Sequence, residues 1–162
     1  MSTDAEMMEN VTYDEMTIGQ SASITRTVTR DDIALFGVVS GDYNPAHFDD
    51  EYAAGSMFKQ VIAHGMFGGG LVSAVLGTKL PGLGAIYMSQ EFRFRRPVNL
   101  GDTITATVIV KEKRDEKKVV VFDCKVTNQD GKDVITGTAE ILPAPGKIRR
   151  VKPTLPEVKV IR

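Results

Sequence analysis

The stretch "GMFGGGLVSAVLGTK", Gly65 to Lys79, is apolar on nearly every side of a helical wheel. Lys79 falls in its last turn, and Pro81-Gly82 is the stop. At about 15 residues it falls short of the roughly 20 that cross a bilayer, so it reads as a helix enclosed by the rest of the chain. Its three consecutive glycines, Gly68 to Gly70, each cost about 1 kcal/mol relative to alanine. A helix accepts that where its backbone packs closely against a sheet or a ligand. The remainder of the chain therefore has to supply a cover for an apolar rod.

The second half supplies it. "AIYMSQEFRFRRPV", "DTITATVIVKEK", "KVVVFDCKVTN" and "KDVITGTAEIL" read as four strands, separated by the turn-like "NLGD", "RDEK" and "NQDGK". Val120, Phe122, Cys124 and Val126 share one face, while Phe92 and Phe94 point opposite to Arg93 and Arg95. Asp130-Gly131 is a hairpin signal. "QSASITRTVTR" adds an earlier, threonine-rich strand. The predicted class is α+β: an antiparallel sheet of about five or more strands wrapped around one long buried helix.

Before that helix, Thr29 with Asp32 three residues on predicts a capped helix start. Ile33, Phe36 and Val39 are expected to form its apolar stripe, and Gly41 to end it. "DDEYAAGSMF" reads as a second short helix, opened by Asp49 and Asp50 and broken near Gly55. Residues 1–10 read as a flexible leader and 11–142 as the domain. Residues 143–162, with four prolines, six cations and one acid, form a tail or linker. It is expected to lie extended on the domain or on a partner subunit, with a linker to a further domain as the alternative.

Composition excludes several classes. A formal net charge of -1 argues against nucleic acid and against an acidic membrane surface. The single cysteine, Cys124, excludes an internal disulfide and a cysteine-rich zinc site, and its alternation with Phe122 and Val126 places it in the core. The acidic start is no secretory signal. A cytoplasmic protein is expected. "GGG" follows no suitably spaced strand, so no dinucleotide signature is present.

Chemistry concentrates in "SGDYNPAHFDD", Ser40 to Asp50. Asn44-Pro45 breaks both helical and strand periods, so the segment must bend. A bend can bring Asp42 and His47 to one point, where one water bonds to both and protons move near neutral pH. Downstream, Gly65 heads the apolar helix. The first amides of a helix lack internal partners and sit in positive potential, and a residue without a Cβ lets a substrate oxygen approach. That is how an oxyanion donor is built. His64 reads as structural, and Ser40 and Ser56 as ordinary turn and cap residues.

"SGDYNPAHFD", "IAHGM" opening the apolar helix and "FRFRRPVNLGDTI" together resemble the MaoC-like dehydratases, which include the (R)-specific enoyl-CoA hydratases. The resemblance covers roughly Val11 to Leu142. It implies the hot-dog fold and a homodimer or higher homo-oligomer. It implies that Asp42 and His47 are the catalytic dyad activating the water added to C3 of a trans-2-enoyl thioester. The Gly65 amide is implied as donor to the thioester carbonyl, and Asn44 and Pro45 as the turn holding the dyad. An acyl-CoA substrate, no separate cofactor and no metal are implied. Some relatives of this kind are fused to a phosphate acyltransferase-like domain, so association with such a domain is a further expectation. Arg93, Arg95 and Arg96 offer phosphate clamps for coenzyme A, against the plain alternative of a solvated strand face, which also fits Lys111 and Lys113. Arg93 and Arg95 are carried forward as substrate-binding positions.

Two other readings compete. One is a non-catalytic acyl-thioester-binding or dimerisation module of a larger acyl-transfer enzyme. The other is a metal site, since His47-Phe48-Asp49 has the H-x-D spacing of a non-haem iron triad with His64 as third ligand.

Overall fold

A computed structural model describes residues 5–162 of the protein. The elements run β1 (Met7–Glu9), β2 (Ser21–Thr27), α1 (Arg30–Ser40), a 3₁₀ turn (Pro45–His47), α2 (Asp50–Gly55), α3 (Gly65–Thr78), β3 (Ile86–Phe94), β4 (Thr103–Arg114), β5 (Val119–Thr127), β6 (Asp133–Leu142) and β7 (Arg149–Val151). β2, β4, β5, β6 and β3 form one antiparallel sheet in that spatial order, and β1 pairs with β7 separately.

The sheet follows from period-two patterning. In β4, Ile104, Ala106, Val108 and Val110 are buried, and in β5 so are Val120, Phe122, Cys124 and Val126. These faces receive α3, which packs against β4, β2 and β5. Its Val72, Val75 and Leu76 are at most 2% exposed, each contributing roughly 1.5–3 kcal/mol through burial. Close approach explains two of the three glycines. A Cβ on Gly68 would stand 2.8 Å from Ile135 Cδ1, and one on Gly69 2.9 Å from Phe92 Cε2. Gly70 faces open space.

Enclosure of α3 is less complete than its composition implies. Met66, Gly70, Ser73 and Gly77 are exposed. They face away from the sheet centre, and the Met66, Gly70 and Ser73 side borders a groove of about 720 Å³ toward β3. The outer edge of β3 is open, and Ile86, Tyr87, Met88 and Phe94 on it are exposed.

α1 begins as its sequence predicts. Thr29 Oγ1 accepts from Asp32 N at 3.1 Å, Asp32 Oδ2 accepts from Thr29 N at 3.0 Å, and Gly41 ends the helix at φ 75°. The expected stripe fails at Val39, which is 88% exposed, whereas Ile33 is buried. Steps of three residues each fall about 60° short of a full turn, so Val39 lies roughly 120° round from Ile33. From α1, Ile33 enters the core and Phe36 packs edge-on to Phe67 of α3.

The N-terminal segment differs from the expected loose leader, and the tail pairs with it. Met1–Asp4 lie outside the described residues. Residues 5–10 are not loose: β1 pairs with β7, and Asn10, 1% exposed, donates Nδ2 to Gly146 O and accepts from Ile148 N. The tail thus straps the N-terminal segment through backbone pairing that no local pattern encodes. Beyond Val151 the chain is extended and largely exposed, and Arg162 is ion-paired with Asp31 at the start of α1. No helix among the described residues is long and apolar enough to cross a membrane.

Candidate active site

The bend at Asn44-Pro45 forms as predicted. Asn44 Oδ1 accepts from Ala46 N at 3.0 Å and so opens the 3₁₀ turn, with Pro45 in its first position. Asp42 Oδ1 accepts from Asn44 N at 3.1 Å, which fixes the carboxylate and leaves Oδ2 free. The turn carries His47 back toward Asp42, and His47 Nε2 lies 3.9 Å from Asp42 Oδ2.

That separation is too long for a direct hydrogen bond. It suits one bridging water: an oxygen about 2.8 Å from both atoms subtends roughly 90° between them, close to the angles water favours. The imidazole is oriented by its other nitrogen. His47 Nδ1 lies 2.8 Å from Ile62 O, and a carbonyl only accepts, so Nδ1 carries the proton. In the neutral ring Nε2 then turns a lone pair toward the Asp42 side.

Gly65 is the first residue of α3. Its N–H has no hydrogen-bond acceptor among the described residues. His47 and Gly65 line one cavity of about 310 Å³, walled by Ile62, Val98, Phe94 and Ile135. Phe94 lies against the glycine: a Cβ there would come within 3.1 Å of the ring. The cavity wall is mainly apolar, with His47 and Gly65 part of it, and Asp42, half exposed, reaches the imidazole from outside the wall.

The structure brings Asp42 and His47 together at the Asn44-Pro45 turn, and His47 and Gly65 onto one cavity. The arginines sort differently. Arg95 and Arg96 line the cavity. Arg93 does not: it lies on the solvent side of β3, paired with Glu91 at 3.3 Å. The strand alternation breaks after Phe94, where Arg95 N and Arg96 N both donate to Val134 O, and this turns two consecutive arginines to the rim. Cys124 is core, 2% exposed, and burial pushes its thiol up to about 11.

The H-x-D triad does not assemble. Asp49 is the N-cap of α2 and accepts from Tyr52 N at 2.9 Å. The cluster that does form is Asp42, His47 and His64, with polar atoms within 4.8 Å of one another. Its two rings stack at 3.9 Å and 26°. Lone pairs in two such planes run side by side and meet well beyond the roughly 2 Å of an imidazole–metal bond, so the donor set does not fit a shared metal. Sequence reasoning missed the Ile62 carbonyl and the place of Phe94 against Gly65, and it named Arg96 as a clamp without carrying it forward. A backbone acceptor fifteen residues from its donor leaves no sequence signal.

An antiparallel sheet wrapped on one apolar helix, with a histidine and a helix-start glycine at one cavity and an aspartate beside the histidine, is a hot-dog fold of the dehydratase type. A sequence model of the MaoC like domain matches residues 14–131, and the chain belongs to this family. An (R)-specific enoyl-CoA hydratase of Rhodospirillum rubrum is 49% identical over 135 residues, covering 83% of this chain and 93% of the relative. The (R)-specific enoyl-CoA hydratase of Aeromonas caviae is 36% identical over 124 residues, 76% of this chain and 92% of the relative. Among solved structures, the unliganded R-hydratase PhaJ1 of Pseudomonas aeruginosa superposes with a TM-score of 0.91 at 42% identity, over 96% of this chain and 99% of that one.

Proposed function

We propose that the protein is a hydro-lyase, an (R)-specific enoyl-CoA hydratase that adds water reversibly to a trans-2-enoyl-CoA to give the (R)-3-hydroxyacyl-CoA. The observation that carries the reading is the Asp42–His47 gap of 3.9 Å beside the unpartnered Gly65 amide at one apolar cavity. Two relatives bearing that activity in their names support it.

The steps follow from the geometry. The thioester carbonyl oxygen accepts from Gly65 N–H, in the positive potential at the start of α3. A water held between Asp42 Oδ2 and His47 Nε2 gives one proton to the dyad as its oxygen bonds to C3. The C2=C3 electron pair moves toward the carbonyl, giving an enolate whose oxygen the amide stabilises. A proton from the dyad then adds to C2, and the sum is one water across the double bond. Both additions come from the same side, because one dyad handles both protons. The two groups share a water and titrate as a pair, so acid and base roles belong to the dyad. No redox cofactor enters any step. Arg95 and Arg96 at the rim suit the phosphates of coenzyme A.

The chain acts as a homodimer through β3 in this reading. A nine-residue open edge carrying Ile86, Tyr87, Met88 and Phe94 beside exposed Met66 of α3 is a surface that a second copy covers. The test is hydration across trans-2-enoyl-CoA chain lengths, with chiral analysis of the product. Asp42→Asn and His47→Ala are each expected to lose about 10² to 10⁴ in turnover. Wild-type turnover in both variants defeats the reading, and acyl-CoA binding without turnover in the native protein supports the non-catalytic module instead.

A further inference from the structure

We propose that His64 is a positioning residue that holds the dyad in register with the oxyanion amide. The inference deepens the hydratase reading and rests on it. His64 is 3% exposed and makes three separate attachments to the site. Its Nε2 lies 3.0 Å from Asp42 O, its ring stacks on His47 at 3.9 Å, and its backbone caps α3 immediately before Gly65. Each attachment reaches a different component: the carboxylate's backbone, the imidazole and the amide.

Since the Asp42 carbonyl only accepts, His64 Nε2 carries a proton. His64 Nδ1 is then a buried acceptor with no partner among the described residues. Packing alone does not call for that group. Phe36 and Phe48 flank the ring at 4.9 and 5.8 Å, and a phenyl ring would fill the same place without an orphaned nitrogen. What imidazole provides and phenyl does not is the donor to Asp42 O.

That bond bears on the dyad because the other hydrogen bonds of Asp42 among the described residues are local. Asp42 N donates to Ser40 Oγ, and the side chain is tied to Asn44 N. Tyr43, next in the chain, is 87% exposed. At Gly37 the neighbouring α1 makes room for Asp42: a Cβ there would stand 3.3 Å from Asp42 O and 2.4 Å from Phe48 Cζ. His64 is thus the hydrogen bond that joins this loop to α3, and the 3.9 Å gap to His47 depends on it.

Two variants separate ring from donor. His64→Gln keeps an amide N–H at the reach of Nε2 and loses the stack. His64→Phe keeps the stack and loses the donor. The readouts are kcat and KM for crotonyl-CoA hydration and the thermal midpoint, each also in an Asp42→Asn background. The expected result for His64→Phe is a kcat lower by about 10²-fold with KM within about threefold, the effect of a 1 Å misplacement at the reacting groups. His64→Gln is expected to recover to within about tenfold of wild type by restoring the donor. In the Asp42→Asn background His64→Phe adds little further loss, because the group it positions is already gone. A purely structural His64 reverses the order, with His64→Phe the more active and more stable variant, and that order overturns the proposal. Equal impairment of His64→Gln and His64→Phe also overturns it. If His64→Phe does not fold, His64→Asn replaces it, since its amide stops short of Asp42 O, and the same outcomes decide. Full activity of Asp42→Asn by itself would instead defeat the hydratase mechanism.

Discussion

Replacing Gly65 with proline removes one hydrogen-bond donor from the site and puts a ring methylene in its place. Gly65 is the first residue of α3, the helical position where proline is best tolerated because its N–H has no intrahelical partner. The preceding residue must be extended, and His64 already is, at φ −57° and ψ 136°. The lost N–H pairs with nothing among the described residues, so folding surrenders no hydrogen bond there. What disappears is the donor to the enolate oxygen. Deleting one such donor costs about 10² to 10³ in kcat, or about 2.7–4 kcal/mol of transition-state stabilisation. The proline ring also adds a Cβ, 3.1 Å from Phe94 Cε1 and 3.2 Å from Cδ1. Gly65→Ala isolates that effect, because it adds the same Cβ and keeps the N–H. Phe94 is 54% exposed and can shift by the few tenths of an ångström required, so Gly65→Ala is expected to stay within about tenfold of wild type. The assay is the loss of enoyl-thioester absorbance with crotonyl-CoA, with thermal unfolding as the check on folding. Wild-type kcat in a folded Gly65→Pro variant, or an equal loss in Gly65→Ala, refutes the oxyanion assignment.

Asp42→Glu keeps the charge and lengthens the arm by about 1.5 Å. It closes or overshoots the 3.9 Å gap and is expected to lower kcat by about 10²-fold, measured in the same assay. Burial pushes the Asp32 carboxyl up, but the Arg26 guanidinium and the Thr29 amide outweigh it and hold it below its ordinary value. Its stabilising contribution is therefore present above the unfolded carboxylate value and is lost as pH falls through the lower folded value. Asp32→Ala is expected to cost about 1 kcal/mol at pH 7 by urea unfolding, with the difference from wild type vanishing at strongly acid pH. With its thiol pushed up to about 11 inside the core, Cys124 is expected to resist thiol reagents in the native protein and to react once on unfolding. In the proposed homodimer, Met88→Lys on the open edge of β3 is expected to shift sedimentation toward monomer at micromolar concentration, and an unchanged sedimentation coefficient counts against that interface.

Much of the molecule was legible in its residues because the signals are local. The period-two runs in β4 and β5 report which side chains leave water, and Thr29 with Asp32 reports a helix start within four residues. Asn44-Pro45 disfavours the α region at Asn44 by sterics alone, so a break between Asp42 and His47 is written in the local sequence. The same holds for the unpartnered amide at Gly65, since every helix start leaves one.

Only the tertiary structure decided how far apart these groups stand and what holds them. The 3.9 Å between Asp42 and His47, the turn of His47 by the Ile62 carbonyl and the link from His64 to Asp42 join residues five to twenty-two positions apart. Such contacts depend on the summed geometry of every element between them. The exchange of Arg93 for Arg96 at the cavity rim has the same cause: the amides of Arg95 and Arg96 share Val134 O, a cross-strand event. So too with β1 and β7, whose three-residue strands are too short to carry a period and form only because the fold brings the two ends of the chain side by side. Periodicity and sterics act within a few residues and belong to the sequence, whereas distances at the site belong to the packed whole.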